Sequence, residues 1–297
     1  MSAITVHDTR CLERSLGSRR TLVNALLTGL TALLTAAALT PLMAVLIMLL
    51  YRGSQRLDLA ALTQLPPPPM QPGGGIGNAI AGTLAMTGLA AMIAVPAGIL
   101  GAIYLAEIAP ESRLARTTRS AAKVLSGLPA ILAGVFTYGA FVLFTGGYSA
   151  VAGGIALAIL MLPTVVLAAE EALRAVPNSM KQAAAGLGAT QFQYVWMVLL
   201  PAAWPGVLTG VMLAVARAAG ETAPLLFTAL FSNYWLAPGG QPDLMQPTAS
   251  LAVLIYNFSG VPFQNQVDLA WTAALVLVLI VLAANLGAQA IARRYRH

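Results

Sequence analysis

From residue 21 to residue 51 the chain carries no charged side chain, and as a helix that run would extend about 46 Å. About 20 apolar residues suffice to cross a bilayer, so the run is long enough to span one. Uncharged stretches recur at 76–106, 124–144, 151–169 and 269–292, and a fifth, 195–231, is interrupted only by Arg217 and Glu221. The whole chain is 58% hydrophobic and 9% charged, far below the roughly 25% charged residues of an ordinary soluble domain. These features predict an all-α membrane protein with six transmembrane helices. Residues 21–51 exceed the roughly 7 to 15 apolar residues of a cleavable signal, so they are read as the first transmembrane helix.

The connections have characters of their own. Residues 52–75 contain Pro66 to Pro69, Pro72 and Gly73 to Gly75, which read as a stiff linker ending in a flexible joint. The glycines there resemble a phosphate loop, but no Lys-Ser or Lys-Thr follows, so a hinge before a helix is expected. Residues 107–123 form a basic connection. Pro96, Gly127, Pro129 and Pro163 interrupt their spans, as packing within a bundle allows. Residues 170–194 suggest a short helix ending at Gly186 or Gly188. Within 232–268, the apolar piece 249–256 is too short to cross and is read as re-entrant or interfacial.

Orientation follows from the cations. The tail 1–20, the connections 107–123 and 170–194, and the tail 293–297 hold 13 of the 16 Lys and Arg residues. Arg52 and Arg56 occupy the opposite side. By the positive-inside rule both termini are expected to be cytoplasmic, and six crossings are what keep the cations on one face. Tyr234, Trp235 and Trp271 fit an aromatic belt at the other face.

The remaining cation is Arg217. A lone arginine within a span costs roughly 2.5 to 3.5 kcal/mol on insertion scales, so it requires a partner or an aqueous cavity. Glu221, four residues on, would lie almost over it on one helical face. The pair is either an internal ion pair or two halves of a site.

Other chemistries are poorly supported. The only lysines, Lys123 and Lys181, follow Ala122 and Met180, so there is no nucleotide-binding Gly-Lys-Ser or Gly-Lys-Thr. His7 and His297 lie at opposite ends and offer no metal site, and no span contains histidine. The single Cys11 permits no intrachain disulfide. The net charge of +6 forms no basic stripe with interleaved aromatics, so nucleic acid is not expected as a partner.

At residues 182–201 the chain reads QAAAGLGATQFQYVWMVLLP. Gln182, Ala183, Ala184 and Gly188, then Val198, Leu200 and Pro201, keep every spacing of E-A-A, three residues, G, nine residues, I, one residue, L-P. This resembles the coupling signature of ABC importer permeases. Gln182 stands for the usual Glu, losing a charge but keeping an acceptor, and Val198 stands for Ile. The small residues allow a partner surface to approach closely, and Gly188 lets the chain turn back toward the bilayer.

Four further stretches, ARAAGETAPLL at 216–226, IGNAIAGTL at 76–84, GLPAILAGVF at 127–136 and LPTVVLAAEEALRAVP at 162–177, resemble the PstA-type permease subunit of bacterial phosphate importers. The R-A-x-G-E core is also similar to sulfate and molybdate permeases, which makes another oxyanion the alternative substrate. A non-conducting membrane scaffold is the alternative of a different class. The resemblance implies a type I ABC importer permease bundle in the inner membrane. Residues 76–292 would form its core, with five transmembrane helices and a cytoplasmic coupling loop at 170–197. It also implies a second related permease subunit, two copies of a cytoplasmic ATPase that uses the ATP, and an external phosphate-binding protein. This chain itself would bind no cofactor. Arg217, Glu221 and Thr222 are then the expected substrate-site residues, with Glu221 the charge partner of Arg217 rather than a ligand. Gln182, Ala183, Ala184, Gly188 and Pro201 are the expected ATPase-coupling residues.

Overall fold

The computed structural model describes residues 19–236 and 243–294, with side chains through residue 292. Cys11, both histidines, Arg10, Arg14 and Arg296, and part of the 232–268 loop lie outside the described residues. The chain divides into two units, Met1–Tyr51 and Arg52–His297.

The first unit supplies helix α1, Arg19–Gly53, whose last two residues belong to the second unit. Within lipid its polar groups need internal partners. The hydroxyls of Thr31, Thr35 and Thr40 accordingly donate to the carbonyls of Thr28, Thr31 and Ala36. Leu22, Leu26, Leu30, Leu34, Leu42 and Leu50 are exposed, as expected of a surface meant for lipid or another apolar chain.

The second unit is all-helical among the described residues. After a 3-10 turn at Ser54–Arg56 come α2, Leu59–Thr63, and α3, Gly77–Ile103, which continues as a π-helical turn, Tyr104–Ile108. Then follow α4, Arg113–Gly127, and α5, Ala130–Thr137, a second π-turn at Tyr138–Val142 and α6, Leu143–Thr145. α7 is Ala150–Arg174, α8 is Asn178–Gly186 and α9 is Gln191–Gln193. A third π-turn, Tyr194–Leu199, leads into α10, Leu200–Ala219, followed by α11, Ala223–Thr228, α12, Leu251–Ser259, and α13, Gln264–Arg294. Among the described residues of both units, five helical stretches, α1 included, are long and apolar enough to cross a membrane, or six if the bent pair α4 and α5–α6 counts as one crossing.

That pair departs most from the expected spans. The third crossing was expected to begin near Val124, but residues 124–127 complete the amphipathic helix α4. The chain then turns 103° at Leu128 and Pro129 before 130–145 runs on alone. Pro129 forbids a continuous helix there, and Ser112 starts α4 by accepting from the Ala115 amide at 3.0 Å. α7 likewise runs on to Arg174, so Glu170 and Glu171 are helical and the connection to α8 is shorter than the polar run suggests.

Close helix approach organises the core. Lipid offers no hydrophobic drive between helices, so small residues and good packing must hold the bundle. On α10, Gly206 and Gly210 face Ala172 and Ala168 of α7, and a Cβ on Gly210 would come within 2.5 Å of the Ala168 Cβ. On α3, a Cβ on Gly98 would come within 2.6 Å of Val165 of α7. Around these contacts Met86, Ala90, Leu157, Met161, Val165 and Ala214 are buried together.

The Pro/Gly linker is a folded cap rather than an extended spacer. Asp58 caps α2 by accepting from the Ala61 amide at 2.6 Å, and Ala61 is fully buried. Gln266 and Asn265 of α13 donate to the carbonyls of Pro67 and Gln71, and Arg56 donates to that of Gly73. The hinge glycines Gly73 and Gly74 have positive φ, 88° and 70°, and Gly77 opens α3. Trp271 lies beneath the Arg52 guanidinium, 5.6 Å from ring centroid to Cζ.

Candidate functional site

Two groups of residues were expected to carry function, and they lie at opposite ends of one continuous helical stretch, Gln191–Ala219.

At one end stands α8. Gln182 and Ala183 are exposed, whereas Ala184 is 6% exposed and packs with Ala102 and Ile103 of α3 and Leu173 of α7. Gly186 ends the helix. Gly188 takes φ +76°, the left-handed conformation that lets the chain reverse at little cost for glycine. Thr190 then opens the next helix with a capping box, its side chain and that of Gln193 each bonding the other's amide. Leu187 is 90% exposed at the tip of this turn. Pro201 lies where the π-turn passes into α10, and its missing N–H removes one rung of the helical ladder there. Gln182, Ala183, Ala184 and Gly188 thus share one short exposed helix-and-turn, with Pro201 at the foot of the helix it feeds.

At the other end α10 stops at Ala219, with Gly220 as its C-cap. Glu221 therefore stands in the break before α11 rather than on an unbroken helical face. The side chains meet nonetheless, Arg217 Nε to Glu221 Oε1 at 3.4 Å, with Arg217 46% and Glu221 19% exposed. Arg217 follows Leu200 by 17 residues, about 25 Å of helix, most of the roughly 30 Å thickness of a hydrocarbon core. The negative end of the α10 dipole and the Glu221 carboxylate both favour its positive charge. Thr222 sits at the N-cap position of α11, where its half-buried hydroxyl makes no capping bond. Gly134 of α5 abuts this break, since a Cβ there would lie 2.6 Å from the Pro224 Cα. α5 and α11 therefore meet just past the break.

A second set of charges was not singled out from the sequence. Glu170 of α7 is buried and binds two arginines, Arg119 Nε at 2.6 Å and Arg174 Nη2 at 2.9 Å. Arg119 also donates to the carbonyl of Leu105, near a helix end that leaves such groups without intrahelical partners, and to that of Pro110 in the turn that follows. Lys181 of α8 binds Glu107 at 2.5 Å. The i,i+4 spacing of Glu170 and Arg174 was the one legible signal. The other pairings join residues 51 and 74 positions apart.

Among the described residues no group of three or more His, Cys, Asp or Glu side chains could hold a metal.

A bundle of membrane-length helices packed through small residues, with a short exposed helix at one end of its central crossing, is the type I ABC importer permease fold. Over 95% of this chain and 98% of the other, it superposes on a chain of a bacterial alginate ABC transporter with TM-score 0.64 at 16% identity. Residues 94–297 match the binding-protein-dependent transport system inner membrane components, and the chain belongs to that family of multi-pass inner membrane proteins. It is 39% identical to the phosphate transport system permease protein PstA of Xylella fastidiosa strain Temecula1, over 95% of this chain and 96% of that one. It is 40% identical to the PstA of Yersinia pestis, over 83% and 82%.

Proposed function

We propose that this chain is one of two permease subunits of an ATP-driven importer of inorganic phosphate and forms half of its translocation pathway. The observation that carries the reading is the half-exposed Arg217, paired with Glu221 at the end of a membrane-spanning helix that rises directly from the α8 turn. Relatives of near-full-length similarity that are named phosphate permeases support the choice of substrate.

The chemistry follows from the pair. A guanidinium stays charged at any physiological pH and presents parallel N–H donors that match two phosphate oxygens. Without substrate, Glu221 neutralises Arg217 and lowers the cost of keeping it in the membrane. Phosphate competes for the same donors, and the Thr222 hydroxyl adds one more. Glu221 is then a charge partner that must yield, since a carboxylate beside phosphate repels it.

The energy comes from elsewhere. Gln182, Ala183 and Gly188 form the docking surface for a cytoplasmic ATPase, present in two copies, which consumes the ATP, while Ala184, buried against α3 and α7, holds that surface on the bundle instead of facing the partner. Both termini lie on that cytoplasmic side, where most of the cations fall. A solved transporter of this fold was captured with a substrate-loaded periplasmic protein, which supports an external phosphate-binding protein as a further partner. The chain binds no cofactor of its own.

Phosphate uptake by the complete complex in proteoliposomes tests the proposal. Arg217→Gln is expected to cut uptake at least about tenfold, the loss of one charge-assisted contact pair, while the subunits still co-purify. Normal uptake by that variant would remove Arg217 from the substrate path.

A further inference from the structure

We infer that Glu107 is a positioning residue that ties the α8 docking helix to transmembrane helix α3, so that movement of α8 is passed to the bundle through the Glu107–Lys181 ion pair. The inference rests on the reading of α8 as the ATPase contact.

α8 is nine residues long, and a helix that short does not hold its conformation or direction without tertiary anchors. Its anchors are few. Ala184 is its one buried residue. Lys181 is the one side chain of α8 in an ion pair among the described residues, reaching Glu107 Oε2 at 2.5 Å and lying 5.6 Å from the Tyr194 ring centroid. The Glu107 side chain is only 11% exposed, whereas that of Lys181 is 50% exposed. The carboxylate is therefore the fixed member and the ammonium the one that docks on it.

Residue 107 is held a second time. Its backbone carbonyl, at the C-terminal end of the helical stretch begun by α3, accepts from Gln191 Nε2 at 3.2 Å. Lys181 and Gln191 stand on opposite sides of the Gly188 turn, so one residue of the π-turn that continues α3 holds both arms of the docking loop. Glu107 also lies within the π-turn Tyr104–Ile108, and Tyr194 begins another π-turn at the base of α10. Such turns interrupt the regular hydrogen-bond ladder and often mark functional sites. From this point the connection runs inward: Arg119 binds the Leu105 carbonyl within the same turn and Glu170 of α7. Docking loop, α3, α4 and α7 thus meet within a few residues of Glu107. With Glu107 made neutral, the half-exposed Lys181 turns to water at little cost, so Glu107→Gln leaves the bundle folded and its effect falls on transmission.

The test uses the complete complex in proteoliposomes, with phosphate uptake and ATP hydrolysis measured on one preparation. Glu107→Gln and Lys181→Gln are each expected to retain the ATPase on co-purification and its basal hydrolysis, while phosphate moved per ATP falls about fivefold, the size of coupling losses at such links. The exchanged pair, Glu107→Lys with Lys181→Glu, is expected to return to within about twofold of the unmutated ratio, because paired effects in contact are not additive. An unchanged ratio in Glu107→Gln, or an exchanged pair no better than the single variants, overturns the inference. Loss of the ATPase from either single variant also overturns it, since the pair would then serve docking itself. The docking reading fails by a separate route, if Gly188→Val leaves ATPase association and stimulation unchanged.

Discussion

Arg217 and Glu221 pair across a helix end, Nε to Oε1 at 3.4 Å, with α10 stopping at Ala219 between them. A break there allows Glu221 to move without unwinding a helix, and a 3.4 Å contact is loose enough for an incoming anion to replace.

The two members of that pair should therefore differ on mutation. Arg217→Gln is expected to abolish most phosphate uptake, whereas Glu221→Gln should reduce it by less than about tenfold, since it removes a neutralising charge rather than a ligand. Initial uptake rates against phosphate concentration separate the two. Equal losses would make Glu221 a member of the substrate site.

Gly188 should tolerate asparagine but not valine. No atom lies within 4 Å of a Cβ built there, so the only cost is backbone strain at φ +76°. That strain is about 1 to 2 kcal/mol for an ordinary residue, less for asparagine and greatest for β-branched chains. Co-purification of the ATPase and its stimulated hydrolysis are expected to fall with Gly188→Val and to survive Gly188→Asn.

Glu170 should matter for stability rather than transport chemistry. Its carboxylate balances Arg119 and Arg174 in a buried position. Stripping the counter-ion from a fully buried charge typically costs about 3 to 5 kcal/mol, and the cost here falls below that range because Arg119 is 19% and Arg174 49% exposed to solvent. Glu170→Ala is expected to lower the thermal denaturation midpoint in detergent markedly. Wild-type stability would mean that water already screens the site.

The α7–α10 contact offers a test of packing. Gly210→Ala places a methyl 2.5 Å from the Ala168 Cβ and is expected to cost about 1 to 3 kcal/mol. Adding Ala168→Gly should recover most of it. Failure of the double variant to recover would mean that the two helices do not approach through these residues.

Much of this was legible in the chain itself. The membrane-length runs are local properties, since lipid reads hydropathy residue by residue and demands a helix wherever the run is long enough. The α8 helix and its reversal were equally local: small residues at fixed spacing end in a glycine, and Gly188 takes the predicted left-handed turn. Arg217 stood out because an isolated charge in an apolar run is costly wherever it falls.

Other features were decided only by how distant segments meet. Glycine and proline at 127 and 129 could mark a kink or a corner, and the 103° turn reflects where α4 packs on α7. Glu221 looked like the next turn of one helix, yet α10 ends first, where Gly134 of α5 lets α11 approach. The linker read as a spacer, but carbonyls of Pro67 and Gln71 found donors on α13, about 200 residues away. Lys181, the partner of Glu107, and Arg119, the distant partner of Glu170, likewise come from separate segments of the chain. Sequence by itself determined which segments enter the membrane and where the anomalous arginine lies, because those are transfer energies of single stretches. Tertiary structure alone decided which charges pair and where helices break, because buried polar groups are satisfied by whatever the packing brings within hydrogen-bond reach.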